Sequence, residues 1–128
     1  MKPFVTAVLA IVLTAFAMLS WSAESPFNQA QFDATRQAGK PVAVVFHADW
    51  CPTCRAQAPI LKELAQSPEL SGVTLFVANY DTEKALKRSL GVTKQSTIVV
   101  FKDGKESARS TGDTHEDSLS VLLHHAIS

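Results

Sequence analysis

Cys51 and Cys54 are the only cysteines in this 128-residue chain, and Pro52 and Thr53 alone separate them. A disulfide between two such neighbours closes almost no loop, so it adds little stability by restraining the unfolded chain. Their proximity is better explained by reactivity. The thiolate is the nucleophile in disulfide exchange, and unpaired N–H groups and the helix dipole favour it at a helix N-terminus. A helix expected from Pro52 to about Gln66 puts Cys51 at that position and Cys54 one turn inside, shielded. The expected cycle follows. The Cys51 thiolate attacks a substrate disulfide and forms a mixed disulfide; Cys54 then attacks Cys51, releases the reduced substrate and leaves the 51–54 bridge. Run backwards, the same cycle oxidises substrates. Pro52 fixes φ in the first turn and holds the two sulfurs in register. Cys-x-x-Cys is also half of a zinc site, but zinc wants four ligands. No second cysteine pair exists, and His124 and His125, adjacent on a helix, point apart.

The elements that must hold this motif can be read around it. Ser25 to Ala38 is expected to be a helix, with Ser25 as its cap, Pro26 in its first turn and Gly39 ending it. Pro41 to Phe46 is a continuous apolar run rich in β-branched residues, the pattern of a strand covered on both faces. Pro59 falls inside the second helix and should kink it, with Ile60, Leu61 and Leu64 on the core side. Val73–Asn79 is a second strand, followed by a short helix capped by Asp81 or Thr82 and closed by Gly91. Thr97–Phe101 is a third strand. Asp103-Gly104 turns it into a polar edge strand, Glu106–Ser110. A last helix is expected near Asp113, with Glu116 completing a capping box and Leu119, Leu122, Leu123 and Ile127 forming its apolar stripe. The order αβαβαββα predicts an α/β domain whose central sheet contains parallel pairs and carries helices on both faces.

Twelve basic and twelve acidic residues cancel, which gives no argument for nucleic acid or for an acidic partner. The hydrophobic fraction of 46% is enough for one packed domain, and part of it lies in the first residues. Lys2 gives a positive start, Phe4 to Leu19 is apolar apart from Thr6 and Thr14, and Ser20-Trp21-Ser22-Ala23 follows. Residues 1–23 read as an export signal cleaved near Ser22 or Ala23. An uncleaved membrane anchor is the alternative, since the apolar run approaches the roughly 20 residues that span a bilayer. Either way the domain, residues 24–128, is expected outside the cytoplasm, in the periplasm or its equivalent, where disulfides persist.

Ala48-Asp49-Trp50-Cys51-x-x-Cys54 with Pro59 five residues on, the run Thr97-Ile98-Val99-Val100-Phe101-Lys102-Asp103-Gly104, and Gly112 before the last helix together resemble the thioredoxin family. The likeness is greatest to the thioredoxin-like domains of periplasmic disulfide reductases and covers Ser25 to Ile127. It implies the thioredoxin fold, a mixed sheet between helices, with the family's first strand absent here or hidden before Pro26. It implies Cys51 and Cys54 as the catalytic pair. Trp50, Pro52, Thr53, Gln95, Ser96 and Thr97 would be the surface that binds the substrate chain, and the redox disulfide would act with no cofactor.

Three departures qualify the likeness. Ser96 stands where the family has a cis-proline; a cis bond before serine costs about 2.5–4 kcal/mol, so the loop is either trans and reshaped or strained cis. An added hydroxyl and N–H beside the thiols also keeps open a metal- or cluster-binding module. Val45 stands where the family buries an aspartate that helps deprotonate the second cysteine, so this chain either manages without it or uses another group such as Asp49 or Glu63. His47 replaces an aromatic residue. As a cation it would stabilise the Cys51 thiolate; otherwise it is a half-buried histidine at a strand end. Asp49 and Arg55 are the other candidates for tuning the thiolate, Arg55 being equally a solvent-facing helix residue.

The resemblance implies an exported thiol–disulfide oxidoreductase of reductase type. Its partners would be protein thiols and disulfides, a membrane thiol electron transporter and factors of cytochrome c maturation or general repair, and no nucleic acid. An oxidase or isomerase, and a non-enzymatic metal-binding or redox-sensing module, are the alternatives.

Overall fold

The computed structural model describes residues 24–128; the expected export signal lies outside the described residues. The elements run β1 (Glu24–Pro26), α1 (Gln29–Gln37), β2 (Val42–His47), α2 (Pro52–Ala65), a single 3-10 turn (Pro68–Leu70), β3 (Thr74–Asn79), α3 (Lys84–Leu90), β4 (Thr97–Lys102), β5 (Lys105–Thr111) and α4 (Glu116–His124). The five strands form one mixed sheet in the order β1-β3-β2-β4-β5. β3 pairs in parallel with β1 and β2, while β4 pairs antiparallel with β2 and β5.

This register positions the chemistry. β2 and β4 are central and antiparallel, with Val45 opposite Ile98. The chain leaving β2 toward Cys51 and the chain entering β4 through Ser96 therefore meet at one end of the sheet. The alternation of side chains along each strand divides the core in two. Ala43, Val45, Ile98 and Val100 pack with Leu61 and Leu64 of α2 and with Leu119 and Leu123 of α4. On the opposite face Val42, Val44 and Phe46 pack with Phe32 of α1 and Leu86 of α3.

That second face is built around aromatic rings. Phe32 lies 5.6, 6.0 and 5.4 Å, centroid to centroid, from Phe27, Phe76 and Phe101. The Arg36 guanidinium sits 4.3 Å over the Phe101 ring and donates to the Gly104 carbonyl at 3.0 Å. Gly104 itself has φ +79°, and a side chain there would stand 3.0 Å from the Arg36 carbonyl oxygen. The turn thus needs glycine for both conformation and space.

Several expected boundaries are corrected. Ser25 and Pro26 lie in β1, not in the first helix; α1 is capped by Asn28, whose side chain accepts from the Gln31 N–H at 3.0 Å. The strand hidden before Pro26 is therefore present, and a proline at a sheet edge removes no ladder bond from a central strand. α3 is capped by neither Asp81 nor Thr82: Glu83 stands at its N-cap without a side-chain capping bond, and the Asp81 carboxylate accepts from the Trp50 indole N–H instead. Asp113 and Glu116 form no capping box: Asp113 Oδ1 accepts from the His115 N–H, and α4 begins at Glu116. Ile127 falls beyond α4 and is 42% exposed, outside the apolar stripe.

Phe32 is 1% exposed at the centre of the aromatic face. Phe32→Ala is expected to destabilise the domain by about 3–5 kcal/mol, measured as a lowered urea midpoint, with Cys51 reactivity unchanged below the transition.

Candidate active site

The chain leaves β2 at His47 and turns through Ala48-Asp49-Trp50, closed by the Cys51 N–H donating to the Ala48 carbonyl at 3.1 Å. Cys51 is the N-cap of α2. Its backbone is extended (φ −90°, ψ 118°), and its sulfur accepts from the Cys54 N–H at 3.4 Å. Pro52 follows in the first turn, where its missing N–H removes no helical bond. Cysteine thus does the work that serine or aspartate does at ordinary caps, and the group that satisfies the helix end is the nucleophile.

The two sulfurs differ as the cycle requires. Cys51 and Cys54 are both buried, at 4% and 1% exposure, and what separates them is acidity. The Cys54 backbone N–H, with help from the Cys54 thiol and the Ser96 and Gln95 side chains, lowers the Cys51 pKa to about 7. Burial pushes the Cys54 thiol the other way, upward. The first cysteine is therefore substantially thiolate at neutral pH, and the second keeps its proton until it must attack.

Ser96 closes the site from the other side. Its Oγ lies 2.9 Å from Cys54 Sγ and 3.7 Å from Cys51 Sγ. Among the described residues no peptide bond is cis, and Ser96 has φ +61°. The loop is thus trans and reshaped, with a non-glycine residue in the left-handed region. Three bonds hold it there: the Ser96 N–H donates to the Phe46 carbonyl at 2.8 Å, and the Ser96 carbonyl accepts from Gly112 N–H at 3.1 Å and Gln57 Nε2 at 3.4 Å.

The other expected site residues divide. Trp50 is 59% exposed beside Cys51, and its indole N–H donates to Asp81 at 2.8 Å, which fixes a broad apolar plate at the rim. Pro52 is exposed, and Thr53 and Gln95 are half-buried. Ser96 and Thr97 do not offer themselves to a substrate chain. Both backbone groups of Ser96 are occupied, and Thr97 is buried with its hydroxyl bound to the Lys94 carbonyl and Thr111. His47 Nε2 lies 2.8 Å from Asp49 Oδ1. Arg55 is exposed and is not among the groups that shift Cys51. Asp49 and Glu63, the expected substitutes for a buried acid, are both exposed and stand nowhere beneath the sulfurs.

Gln57 is the residue the sequence reading passes over. It is 1% exposed, and its amide donates to Asp113 carbonyl at 2.9 Å as well as to Ser96, tying α2, the Ser96 loop and the start of α4 together. Its spacing, three residues beyond Cys54, was the available signal, because i and i+3 share a helix face. Behind it lies a cavity of about 110 Å³ lined by Glu24, Val45, His47, Gln57 and Leu61 among others. Among the described residues no three His, Cys, Asp or Glu side chains cluster as metal ligands would.

The family model for thioredoxin matches residues 24–125. The chain belongs to the thioredoxin family. A thioredoxin from Chlamydia muridarum is 39% identical over 82 residues, covering 64% of this chain and 78% of that one. Thioredoxin H4 of Arabidopsis thaliana is 30% identical over 74% of this chain and 79% of its own length. Among solved structures, Trxlp from Edwardsiella tarda superimposes with a TM-score of 0.76 at 36% identity, covering 78% of this chain and 97% of that chain. The protein is thus a thioredoxin-like thiol–disulfide oxidoreductase acting on protein thiols and disulfides through Cys51 and Cys54, with the redox disulfide in place of a cofactor.

The alkylation rate of the reduced protein by iodoacetamide is expected to rise with pH through an inflection near 7 and then level, because only the Cys51 thiolate reacts. Cys51→Ser should abolish that inflection and leave only slow reaction at higher pH from Cys54.

Proposed function

We propose that this protein is an exported disulfide reductase. It takes electrons from a membrane thiol transporter and passes them, by dithiol–disulfide exchange, to oxidised protein thiols outside the cytoplasm, in cytochrome c maturation or a general repair route. The observation that carries the direction is the company of the Cys51 sulfur. Its hydrogen-bond partners, from Cys54, Ser96 and Gln95, are all neutral. His47, the nearest candidate cation in sequence, is engaged by Asp49 instead. An oxidant of this fold depends on a strongly stabilised thiolate in the reduced form, with a cysteine pKa of about 3.5 against about 7 in reducing members. A thiolate held by neutral donors alone belongs with the second kind. Export is supported by the positive start, the apolar run from Phe4 to Leu19 and the small residues before Glu24.

The midpoint potential of the Cys51–Cys54 pair, equilibrated with glutathione buffers, is expected nearer about −270 mV than about −120 mV. A value at the oxidising end overturns the reductase reading in favour of an oxidase. Fractionation of cells producing the full chain is expected to find it outside the cytoplasm, beginning near Ala23 or Glu24 if the signal is cleaved. Recovery of the intact chain in the cytosol would overturn export.

A further inference from the structure

We propose that the Ser96 hydroxyl sets the redox poise of the Cys51–Cys54 pair, by bonding the sulfurs in their reduced form and losing those bonds when the disulfide closes. The inference rests on the exchange chemistry of the two cysteines, and on neither the direction of electron flow nor export.

Ser96 is 2% exposed. Among the described residues its Oγ has two hydrogen-bond partners, Cys54 Sγ at 2.9 Å and Cys51 Sγ at 3.7 Å, with both cysteines reduced. A hydroxyl donates one hydrogen bond and accepts others. It can therefore accept from the Cys54 thiol while donating to the Cys51 thiolate, and a bond to a charged acceptor is the stronger kind. Closing the disulfide removes both ends of this chain. Cys54 then has no proton to give, and Cys51 carries no charge. Burial sharpens the difference, because a hydroxyl shut away from water without a good partner is penalised. That penalty falls on the oxidised form.

The backbone holds the hydroxyl at the sulfurs in either state. The Ser96 N–H donates to the Phe46 carbonyl at 2.8 Å, and the Ser96 carbonyl accepts from Gly112 N–H at 3.1 Å and Gln57 Nε2 at 3.4 Å. None of these bonds involves a sulfur. They keep the residue at φ +61°, in a region that non-glycine residues seldom adopt. A disfavoured backbone retained by its surroundings at a reactive centre is a way of placing a functional atom.

No charged side chain takes this role instead. The elements that meet at the sulfurs carry His47, Asp49, Arg55, Asp81, Lys94 and Asp113, and none of these is among the groups that shift either cysteine. Tyr80 packs against the cysteine cluster but gives its hydroxyl proton to the Thr93 carbonyl at 3.0 Å. The Ser96 side chain is among the donors that draw the Cys51 thiol down.

The equilibrium that reads the poise balances with glutathione as reductant. One oxidised protein and two glutathione thiols give one reduced protein and one glutathione disulfide. The Cys51–Cys54 bond takes two electrons and breaks, and the glutathione S–S bond forms. Cys54 keeps one of the two thiol protons; above the Cys51 inflection the other goes to solvent.

Ser96→Ala and Ser96→Gly both remove the hydroxyl, and glycine accepts positive φ freely, which separates the lost hydroxyl from backbone strain. In both variants the constant for reduction by glutathione, measured above the Cys51 inflection, is expected to fall about tenfold, a midpoint lower by about 30 mV. The inflection in iodoacetamide reactivity should move upward in both. Below the wild-type inflection the fall should shrink, because Cys51 is then a thiol with or without Ser96 and the charge-assisted bond is gone. A constant unchanged or raised in either folded variant, or lowered by the same factor on both sides of the inflection, overturns the assignment. Ser96→Gly decides alone if the alanine variant does not fold. The reductase reading is decided by the wild-type midpoint itself, and this inference by the difference between variant and wild type, so either can fail without the other. A wild-type protein that forms no 51–54 disulfide in any glutathione buffer overturns exchange itself, and this inference with it.

Discussion

A single N–H, that of Cys54 donating to the sulfur of Cys51, joins the architecture to the chemistry. For that bond to exist, α2 must begin at Pro52, β2 must end at His47, and the turn between them must bring Cys51 back over the first helical turn. A helix end has donors to satisfy, and here the acceptor that satisfies them is the reacting atom. Loss of the helix start would therefore be loss of the nucleophile, not merely of stability. The leucines of α2 that pack onto Val45, Ile98 and α4 anchor the helix far from the sulfurs and so fix its first turn.

The same geometry sets the asymmetry between the two cysteines. One lies at the end of the helix dipole and is relieved of its proton. The other lies three residues along the same face, against the sheet and Ser96, and is not. An exchange cycle needs this inequality, because two equally acidic thiols would compete for the incoming disulfide. Gln57 extends the face by another turn and converts it from a sulfur contact into a brace for the Ser96 loop. The braced loop lets a serine occupy a backbone conformation it would not choose.

Much of this was legible in the sequence because it is local. The β-branched run of β2, the Cys-Pro-x-Cys helix start, the Asp-Gly turn and the leucine spacing of α4 each specify structure through nearest neighbours, and the two-faced layer arrangement follows from their order. What escaped was decided between elements. Ser25-Pro26 carries the local signature of a helix start, yet these residues pair with Phe76 and Val77 because an open edge of β3 lies beside them. The cap expected of Asp81 or Thr82 is missing because α3 starts later, at Lys84 behind Glu83, while Asn79 closes the turn after β3 and the Asp81 carboxylate accepts from Trp50, 31 residues away. Gln57 looks like a surface residue in the sequence and becomes a buried brace only when the loops before β4 and α4 arrive beside it. Ser96 could be flagged as a departure, but its hydroxyl distances depend on a trans, left-handed loop that no local rule dictates.

The two outermost strands are both poor templates for a further strand. β1 is three residues long and ends in a proline, and β5 is almost wholly polar, with Arg109 and Glu106 paired along it and a register irregularity at Val100/Phe101 in its ladder with β4. Short, charged or irregular margins discourage a second chain from zipping on by backbone pairing. An extended partner therefore finds no purchase along the flanks of the sheet. It must come in over the end, where Trp50 and the Gln95 loop stand beside the sulfurs. The blunted margins thus disfavour strand addition along the flanks and leave the end that carries exposed Trp50 as the open approach to the redox pair.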